Sequence, residues 1–139
     1  HTYNNRRTMR TEVMYKNGGC CYVYLCYGIH YLFNIVTNKE EIPHAVLIRS
    51  GKVHSGIENI QKRRGNNIQL SKLLAGPGNF SKGLGINKDL NGVKLNSDRI
   101  WIKDSSNIDL AIKSTPRIGV DYAAEDALLP WRYILKDCS

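Results

Sequence analysis

The amino-acid sequence predicts a single α+β domain over residues 1–139, with a curved, mostly antiparallel β-sheet, a protruding β-hairpin and short surrounding helices. Three observations predict this fold class. The 139 residues are about the number that one domain needs. Hydrophobic residues make up 42% of the chain, which is typical of a globular protein. Strand-like and helix-like stretches interleave without the regular rhythm of β-α-β units.

The first part of the chain predicts a loop and three strands. Residues 1–19 are polar and lack a clean periodicity, which favours a surface loop. Residues 21–27 and 31–37 are rich in β-branched and aromatic side chains, and "GIH" between them indicates a hairpin. "HAVLIRS", residues 44–50, predicts a third strand whose apolar middle is buried on both faces.

Three short helices are predicted to follow. "SGIENIQKRRG" offers Ser55 as an N-cap, and its basic residues fall in the last turn before Gly65. "IQLSKLLAGPG" predicts a second helix, which its glycines and proline end. "NFSKGLGI" predicts a third helix capped by Asn79, although its glycines weaken it.

The C-terminal part predicts two strands and a helical turn. "DRIWIKD", residues 98–104, alternates apolar and polar side chains as a half-buried strand does. "TPRIGVD" indicates a turn and a short extended piece, and "AAEDALL" a helical turn. Pro130 then leads into a last strand, "WRYILK".

The charge indicates a polyanionic partner. The formal net charge is +8 and the pI is near 9.4, and a surface that neutralises phosphates gains affinity by releasing counterions. Nucleic acid is the obvious candidate, although a basic composition also fits a solvated surface with no such partner. The chain has no run of 18 apolar residues and begins with polar residues, so we expect no membrane partner and no secretory leader. A cytoplasmic location is expected, or a nuclear one in a eukaryote.

The four cysteines do not form a metal-binding pattern. They contain no C-x-x-C pair, and no histidine stands at zinc-ligand spacing from them. Adjacent Cys20 and Cys21 would point to opposite faces of a strand. We therefore expect reduced thiols, Cys26 and Cys138 included, and neither a metal nor another cofactor.

The tyrosines of the hairpin are the candidates for binding a base. Tyr22 and Tyr24 share one strand face, so two rings stand side by side. Tyr27 lies at the turn, where few neighbours can bury it, and an exposed ring beside basic residues can stack on a base or wedge into a duplex. The alternative is that Tyr22 and Tyr24 are ordinary core residues.

Five stretches carry a resemblance to a known family. "YVYLCYGIHYLFNI", "VLIRS", "AGPGNFSKGLGI", "PRIGV" and "WRYIL" occur in the order in which the alkyladenine (3-methyladenine) DNA glycosylase family has them. The resemblance covers nearly the whole chain. It implies a monofunctional enzyme of base excision repair that removes alkylated purines from double-stranded DNA, acts as a monomer and needs no cofactor. No lysine stands where a Schiff base would form, so no strand cutting is expected.

The resemblance implies a wedge and a base pocket. Tyr27 matches the residue that fills the gap left by a flipped nucleotide, with Ile29 and His30 beside it against the duplex. Tyr24 and His1 match the rings that clasp the extruded base. Alkylated purines carry positive charge, and electron-rich ring faces attract cations.

Three further residues are implied in specificity and hydrolysis. Asn34 matches a residue that excludes guanine by crowding its 2-amino group. Arg49 matches an arginine near the attacking water, and Val120 a residue whose carbonyl accepts a hydrogen bond from that water. Taken singly, Asn34 could instead satisfy a buried backbone group, and Arg49 could be a structural ion-pair partner.

Duplex contacts are implied for a further set of mostly basic residues, each of which could instead be a solvated surface group: Arg6, Thr8, Arg10, Arg64 and Lys88. Such contacts would fix position on the duplex without reading its sequence. The turn at residues 76–79 could also present helix-terminal N–H groups to a phosphate, though ordinary capping explains it equally well.

The general base is the departure from the family pattern. In the family it is a glutamate shortly before the residue that matches His1, where this sequence begins. Glu12, Glu40 and Glu41 do not stand in that place, and we nominate none of them. We expect an N-terminal segment that carries this glutamate to be lacking, and without that segment residues 1–139 would bind a lesion with little catalysis. A non-catalytic module that binds damaged DNA stays open as the alternative, and RNA binding as a weaker one.

Overall fold

The computed structural model describes residues 1–104 and 111–136, which fall into two compact units divided between Ile102 and Lys103. The fold class is confirmed, because short helices accompany two separate sheets in which every strand pair is antiparallel. The strands are β1 (Cys21–Cys26), β2 (His30–Val36), β3 (Ala45–Leu47), β4 (Ile112–Thr115) and β5 (Arg132–Leu135). The α-helices are α1 (Ile57–Arg64) and α2 (Pro77–Leu84). Short 3-10 helices span Tyr3–Asn5, Glu12–Tyr15, Leu70–Lys72, Lys88–Leu90 and Asp121–Ala127.

The first unit is built on a three-stranded sheet in the order β1-β2-β3. Its two faces bury different side chains, because successive residues of a strand alternate. Cys21, Val23 and Phe33 pack on one face, against which Phe80 of α2 lies. Cys20 and Tyr22 pack on the other face, so the prediction that the adjacent cysteines point to opposite faces is confirmed.

Helices α1 and α2 pack together through a third apolar cluster, formed by Ile60, Leu73 and Leu74. Gly83 of α2 permits their close approach. A Cβ at Gly83 would lie 2.5 Å from Leu74 Cδ2 and 3.2 Å from Ile60 Cγ2. Helix α2, which packs against strand β2 of the hairpin, thus also packs closely against α1 at Gly83.

The predicted third strand is too long and its predicted burial is wrong. Only Ala45–Leu47 pair with β2, and Val46 is 49% exposed. Among the described strands, β3 has a neighbour on one side alone, so its apolar run reflects an edge position rather than burial between two layers.

The predicted helix caps are also wrong. Gly56, in the left-handed region, precedes α1 in place of Ser55, and Gly76 precedes α2. Asn79 lies inside α2, with Pro77 in the first helical position that suits proline. Its Nδ2 donates to the Ala75 carbonyl at 2.7 Å. It therefore serves the turn that leads into the helix rather than the cap.

Two further predicted elements are shorter in the structure, and one observed strand was not predicted. The predicted second helix is a single 3-10 turn, Leu70–Lys72, and the predicted strand at residues 98–104 is one bridge between Asn96 and Trp101. The second unit pairs β4 with β5, and of these the sequence predicted β5 alone. The helical turn before β5 is confirmed as the 3-10 helix Asp121–Ala127.

Candidate nucleic-acid interface

The apex of the hairpin is a three-residue loop between the paired ends of β1 and β2. Cys26 pairs with His30, and the Ile29 N–H donates to the Cys26 carbonyl at 3.0 Å. Tyr27 and Gly28 have positive φ angles of 50° and 69°, a region that residues other than glycine seldom occupy. The Tyr27 side chain is 92% exposed. The prediction of an exposed ring at the turn is confirmed.

Two clefts flank the apex where the start of β2 meets the first turn of α2. One of about 330 Å³ has Tyr27, His30 and residues 76–79 in its wall, and one of about 290 Å³ has Ile29 and His30 in its wall. The His30 ring lies directly on Gly78, where a Cβ would approach its Cγ to 2.7 Å. Glycine at position 78 therefore allows His30 to pack against the helix. The G-P-G pattern indicated a helix end and helix-terminal N–H groups, and no local pattern pointed to this contact.

A cluster of three rings lies on the sheet face opposite α2. His1 Nδ1 is 3.0 Å from the Tyr22 hydroxyl, and the His1 and Tyr24 ring centroids are 4.4 Å apart at an interplanar angle of 61°. The Tyr22 and Tyr24 rings lie 5.4 Å apart and are tilted by 33°. Burial raises the pKa of Tyr22, which is 2% exposed, and nearby Arg10 partly offsets that rise. The structure thus brings together His1 and Tyr24, as predicted, and makes Tyr22 their core support.

Asn34 lies beside this cluster. It is buried, pairs directly across from Tyr22 on β1 and from Leu47 on β3, and so shares the face of the rings. Its Nδ2 donates to the carbonyls of Tyr22 at 3.1 Å and Leu32 at 3.4 Å. The amide therefore satisfies buried backbone groups, as the alternative interpretation held. Its exclusion of guanine stays a prediction.

Arg10 reaches the same cluster from the N-terminal loop. Its guanidinium carbon lies over the Tyr24 ring, 4.9 Å from the centroid, and its Nη2 donates to the Leu25 carbonyl at 3.0 Å. The residue is exposed. A side chain expected to meet the duplex is thus engaged with a ring of the expected base pocket.

The N-terminal loop is held by a charge cluster that sequence reasoning missed. The Arg7 guanidinium pairs with both Glu12 and Glu41 and lies 4.6 Å from the Tyr15 ring centroid. Its hydrogen bond to Glu12 holds the pKa of that carboxyl below the usual range. Both carboxylates are therefore committed to an ion pair, which fits their not being nominated as general base. Glu41 stands 34 residues from Arg7, so no local pattern could have indicated the cluster.

The predicted duplex contacts divide into engaged and open side chains. Arg64 Nε donates to the Leu73 carbonyl at 3.0 Å, so Arg64 braces the end of α1. Thr8 Oγ1 lies 3.1 Å from Thr11 Oγ1 within the loop. Arg6 and Lys88 are exposed, and their side chains have no hydrogen-bond partner within residues 1–104 and 111–136.

Arg49 follows β3 and is half-buried. The chain is fixed around it, because the Ile48 N–H donates to the Phe33 carbonyl at 3.0 Å and Ser50 forms a bridge with Ala75. Among the residues that the structure describes, none pairs with its guanidinium. The structural ion pair considered for Arg49 is therefore not formed with any of them, and its role beside a water stays a prediction.

Val120 belongs to the second unit and precedes the 3-10 helix Asp121–Ala127. Its carbonyl accepts the Ala123 N–H at 2.8 Å. A carbonyl oxygen carries two lone pairs, so one acceptor site is left for a second donor. The predicted hydrogen bond from a water is compatible with this arrangement and stays a prediction.

Comparison with known proteins decides the family. The family model described as Methylpurine-DNA glycosylase (MPG) matches residues 1–139. The chain belongs to the methylpurine-DNA glycosylase family. A protein of Desulfitobacterium hafniense, named "Putative 3-methyladenine DNA glycosylase", is 40% identical over 99% of this chain and 71% of its own length. Proteins with the same name from Chlamydia pneumoniae, 43% identical over 97% of the chain and 69% of their own length, and Natranaerobius thermophilus, 42% identical over 99% and 71%, are similar to it as well.

Membership of the methylpurine-DNA glycosylase family confirms the predicted family and its place in DNA repair. Cys20 and Cys21 fit an inert structural role, because both are buried free thiols and burial raises the pKa of Cys21 to about 11, whereas Cys26 is a half-buried free thiol. Cys138 lies outside the described residues. Within the described part of the chain, no cluster of three His, Cys, Asp or Glu side chains could hold a metal ion, and no helix is long and apolar enough to span a membrane.

Proposed function

We propose that this member of the methylpurine-DNA glycosylase family is a monofunctional glycosylase that swings an alkylated purine out of double-stranded DNA and hydrolyses its N-glycosidic bond. The observation that carries the proposal is Tyr27. A ring that is 92% exposed at the apex of an antiparallel hairpin contributes almost nothing to the protein's own core. Its position is useful to a partner that the ring can enter.

A wedge of this kind offsets the energy of extrusion. Swinging a nucleotide out of a duplex costs a few kcal/mol, and less where the base is damaged. Stacking of an aromatic side chain on a base returns roughly 1–3 kcal/mol. Since the two terms nearly cancel, a lesion that weakens pairing is enough to favour the extruded state. Ile29, which is 73% exposed, and His30 would flank the Tyr27 ring against the duplex.

The ring cluster is the proposed receptor for the extruded base. A base clasped between Tyr24 and His1 needs ring planes about 7 Å apart, twice the usual contact distance. The centroids of these rings are now 4.4 Å apart, so His1, which is exposed, would move outward. Tyr22 and Asn34 are buried and would form the fixed back of the pocket. There the Asn34 amide would act on guanine by exclusion.

Hydrolysis needs a positioned water. Cationic alkylpurines are good leaving groups, so a general base that activates the attacking water matters more than a general acid. Arg49 is the residue of the first unit that we propose for holding that water. Glu12 and Glu41 are excluded because Arg7 binds both, and we assign the general base to no residue of this chain.

Duplex binding would rest on the net charge of +8. Arg6 and Lys88 are exposed and without side-chain partners among the described residues, so they are the proposed phosphate contacts. The single chain carries both wedge and pocket, so a monomer suffices for binding. Such an enzyme would work wherever the chromosomal DNA lies.

Replacement of the Tyr27 side chain tests the proposal. Tyr27→Ala should slow release of 3-methyladenine from duplex DNA by about 5- to 150-fold, the equivalent of 1–3 kcal/mol of lost stacking. Release from single-stranded DNA should change little, because a single strand leaves no gap to fill. Tyr27→Phe, which keeps the ring, should behave like the unaltered protein. Tyr3, another exposed tyrosine at 72%, supplies the control Tyr3→Ala. Equal losses on both substrates would rule out the wedge.

A further inference from the structure

The surroundings of the Tyr24 ring suggest a role for Arg10 that duplex contact alone does not explain. The groups around this ring include His1, Tyr22 and Arg10. The centroids of His1 and Tyr22 lie 4.4 and 5.4 Å from it, and the Arg10 guanidinium carbon lies 4.9 Å from it. Of the three, Arg10 alone carries a permanent positive charge.

We propose that Arg10 occupies Tyr24 as a stand-in for the cationic base, and that a duplex phosphate draws it away, so that the pocket accepts a cationic purine only on DNA. The inference rests on the proposed function of Tyr24 as a base-stacking residue. It assigns Arg10 as a positioning residue that sets specificity for cationic lesions.

The argument begins with the chemistry of the ring. A site that attracts a guanidinium through the electron-rich face of a tyrosine attracts an alkylpurinium for the same reason. Two cations on one ring repel each other, whichever faces they use. Arg10 must therefore leave Tyr24 before a cationic base gains the full attraction of the ring.

The second step is the competition for Arg10. Its contacts among the described residues include the Tyr24 ring, the neutral carbonyl of Leu25 at 3.0 Å and the neutral hydroxyl of Tyr22, and none of these partners is charged. A phosphate offers a charged and bidentate partner to the same guanidinium, and such bonds are roughly twice as strong as neutral ones. Because Arg10 is exposed, a phosphate can reach it without unfolding the loop. Arg7 differs, because Glu12 and Glu41 already hold its guanidinium.

The test measures binding of a cation, 3,9-dimethyladeninium, and of its neutral counterpart, 9-methyladenine, to the protein without DNA. Arg10→Ala should raise affinity for the cation about two- to five-fold, which is the worth of the cation–π contact that no longer competes. Affinity for 9-methyladenine should change less than the affinity for the cation. Arg99→Ala, at an exposed arginine whose Nη1 donates to the Asp89 carbonyl, should alter neither. An undamaged duplex should raise cation affinity in the unaltered protein and not in Arg10→Ala. Weaker cation binding by Arg10→Ala, or equal changes for both purines, would overturn the proposal.

A second readout separates the failure of this inference from failure of the base pocket. If no variant binds either purine, the proposed pocket is wrong, and NMR resonances of the Tyr24 ring decide the role of Arg10. The duplex should shift these resonances in the unaltered protein toward their positions in Arg10→Ala. Resonances that the duplex leaves unchanged would overturn the displacement of Arg10.

Discussion

Asn34→Ser separates the structural role of Asn34 from its proposed role in specificity. The substitution removes hydrogen bonds from Nδ2 to the Tyr22 and Leu32 carbonyls, at 3.1 and 3.4 Å. A net hydrogen bond contributes about 1 kcal/mol, and the longer one contributes less, so we expect unfolding free energy to fall by about 1–2 kcal/mol. The free energy of unfolding of such a domain is about 5–15 kcal/mol, so we expect Asn34→Ser to stay folded. Urea denaturation measures the loss.

The same substitution should open the pocket to guanine. A change of a group or two in a binding pocket alters discrimination by about 1–3 kcal/mol, or about 10- to 200-fold. Release of guanine from undamaged duplex should therefore rise by at least about tenfold, and release of 3-methyladenine should stay nearly constant. Phe33→Leu is the matched control, because Phe33 is buried on the opposite face of β2 and should cost stability without changing specificity. Guanine release that stays flat in folded Asn34→Ser would refute exclusion by this side chain.

The remaining predictions concern packing, charge and ionisation. Gly83→Ala places a Cβ 2.5 Å from Leu74 Cδ2, and we expect about 1–3 kcal/mol of destabilisation in urea denaturation, less the roughly 1 kcal/mol that alanine gains in a helix. Arg6→Ala should lower the log–log salt slope of duplex binding by about 0.9 without loss of stability. Arg64→Ala should lower the melting temperature, since its guanidinium donates a hydrogen bond to the Leu73 carbonyl. A lower melting temperature in Arg6→Ala together with a lower salt slope in Arg64→Ala would contradict the structure. Burial raises the pKa of Cys21 from 9.0 to about 11, so the folded state binds the proton more tightly, and stability should fall as pH rises from about 9 through 11. If the melting temperature of the unaltered protein falls no more steeply with pH in this range than that of Cys21→Ala, the predicted effect of the Cys21 thiol is wrong.

The hairpin and the exposed ring at its apex could be predicted because their determinants are local. β-branched and aromatic side chains indicate the two strands, and Gly28 supplies a turn residue. A side chain at such a turn has few neighbours, so the exposure of Tyr27 follows from its place in the chain. Placing Tyr22 and Tyr24 on one face needs only the two-residue period of a strand.

The helix boundaries and the third strand failed for a different reason. Ser55 and Asn79 have the residue types of N-caps, yet glycines with positive φ precede both helices and set where each begins. The apolar run around Val46 looked buried because sequence does not show how many strands lie beside it. Edge position is a property of the sheet, and local pattern cannot supply it.

The sequence by itself determined the α+β class, the exposed aromatic apex, the basic charge and the resemblance that the comparisons bear out, because these depend on residue type, strand period and order along the chain. Tertiary structure alone decided what each polar side chain touches. Arg10 lies on Tyr24, and Arg64 on the Leu73 carbonyl. Arg7 pairs with Glu41, 34 residues away. Charged side chains are long, and each can bind any of several partners that folding brings near. Their roles therefore depend on the tertiary structure and not on their spacing along the sequence.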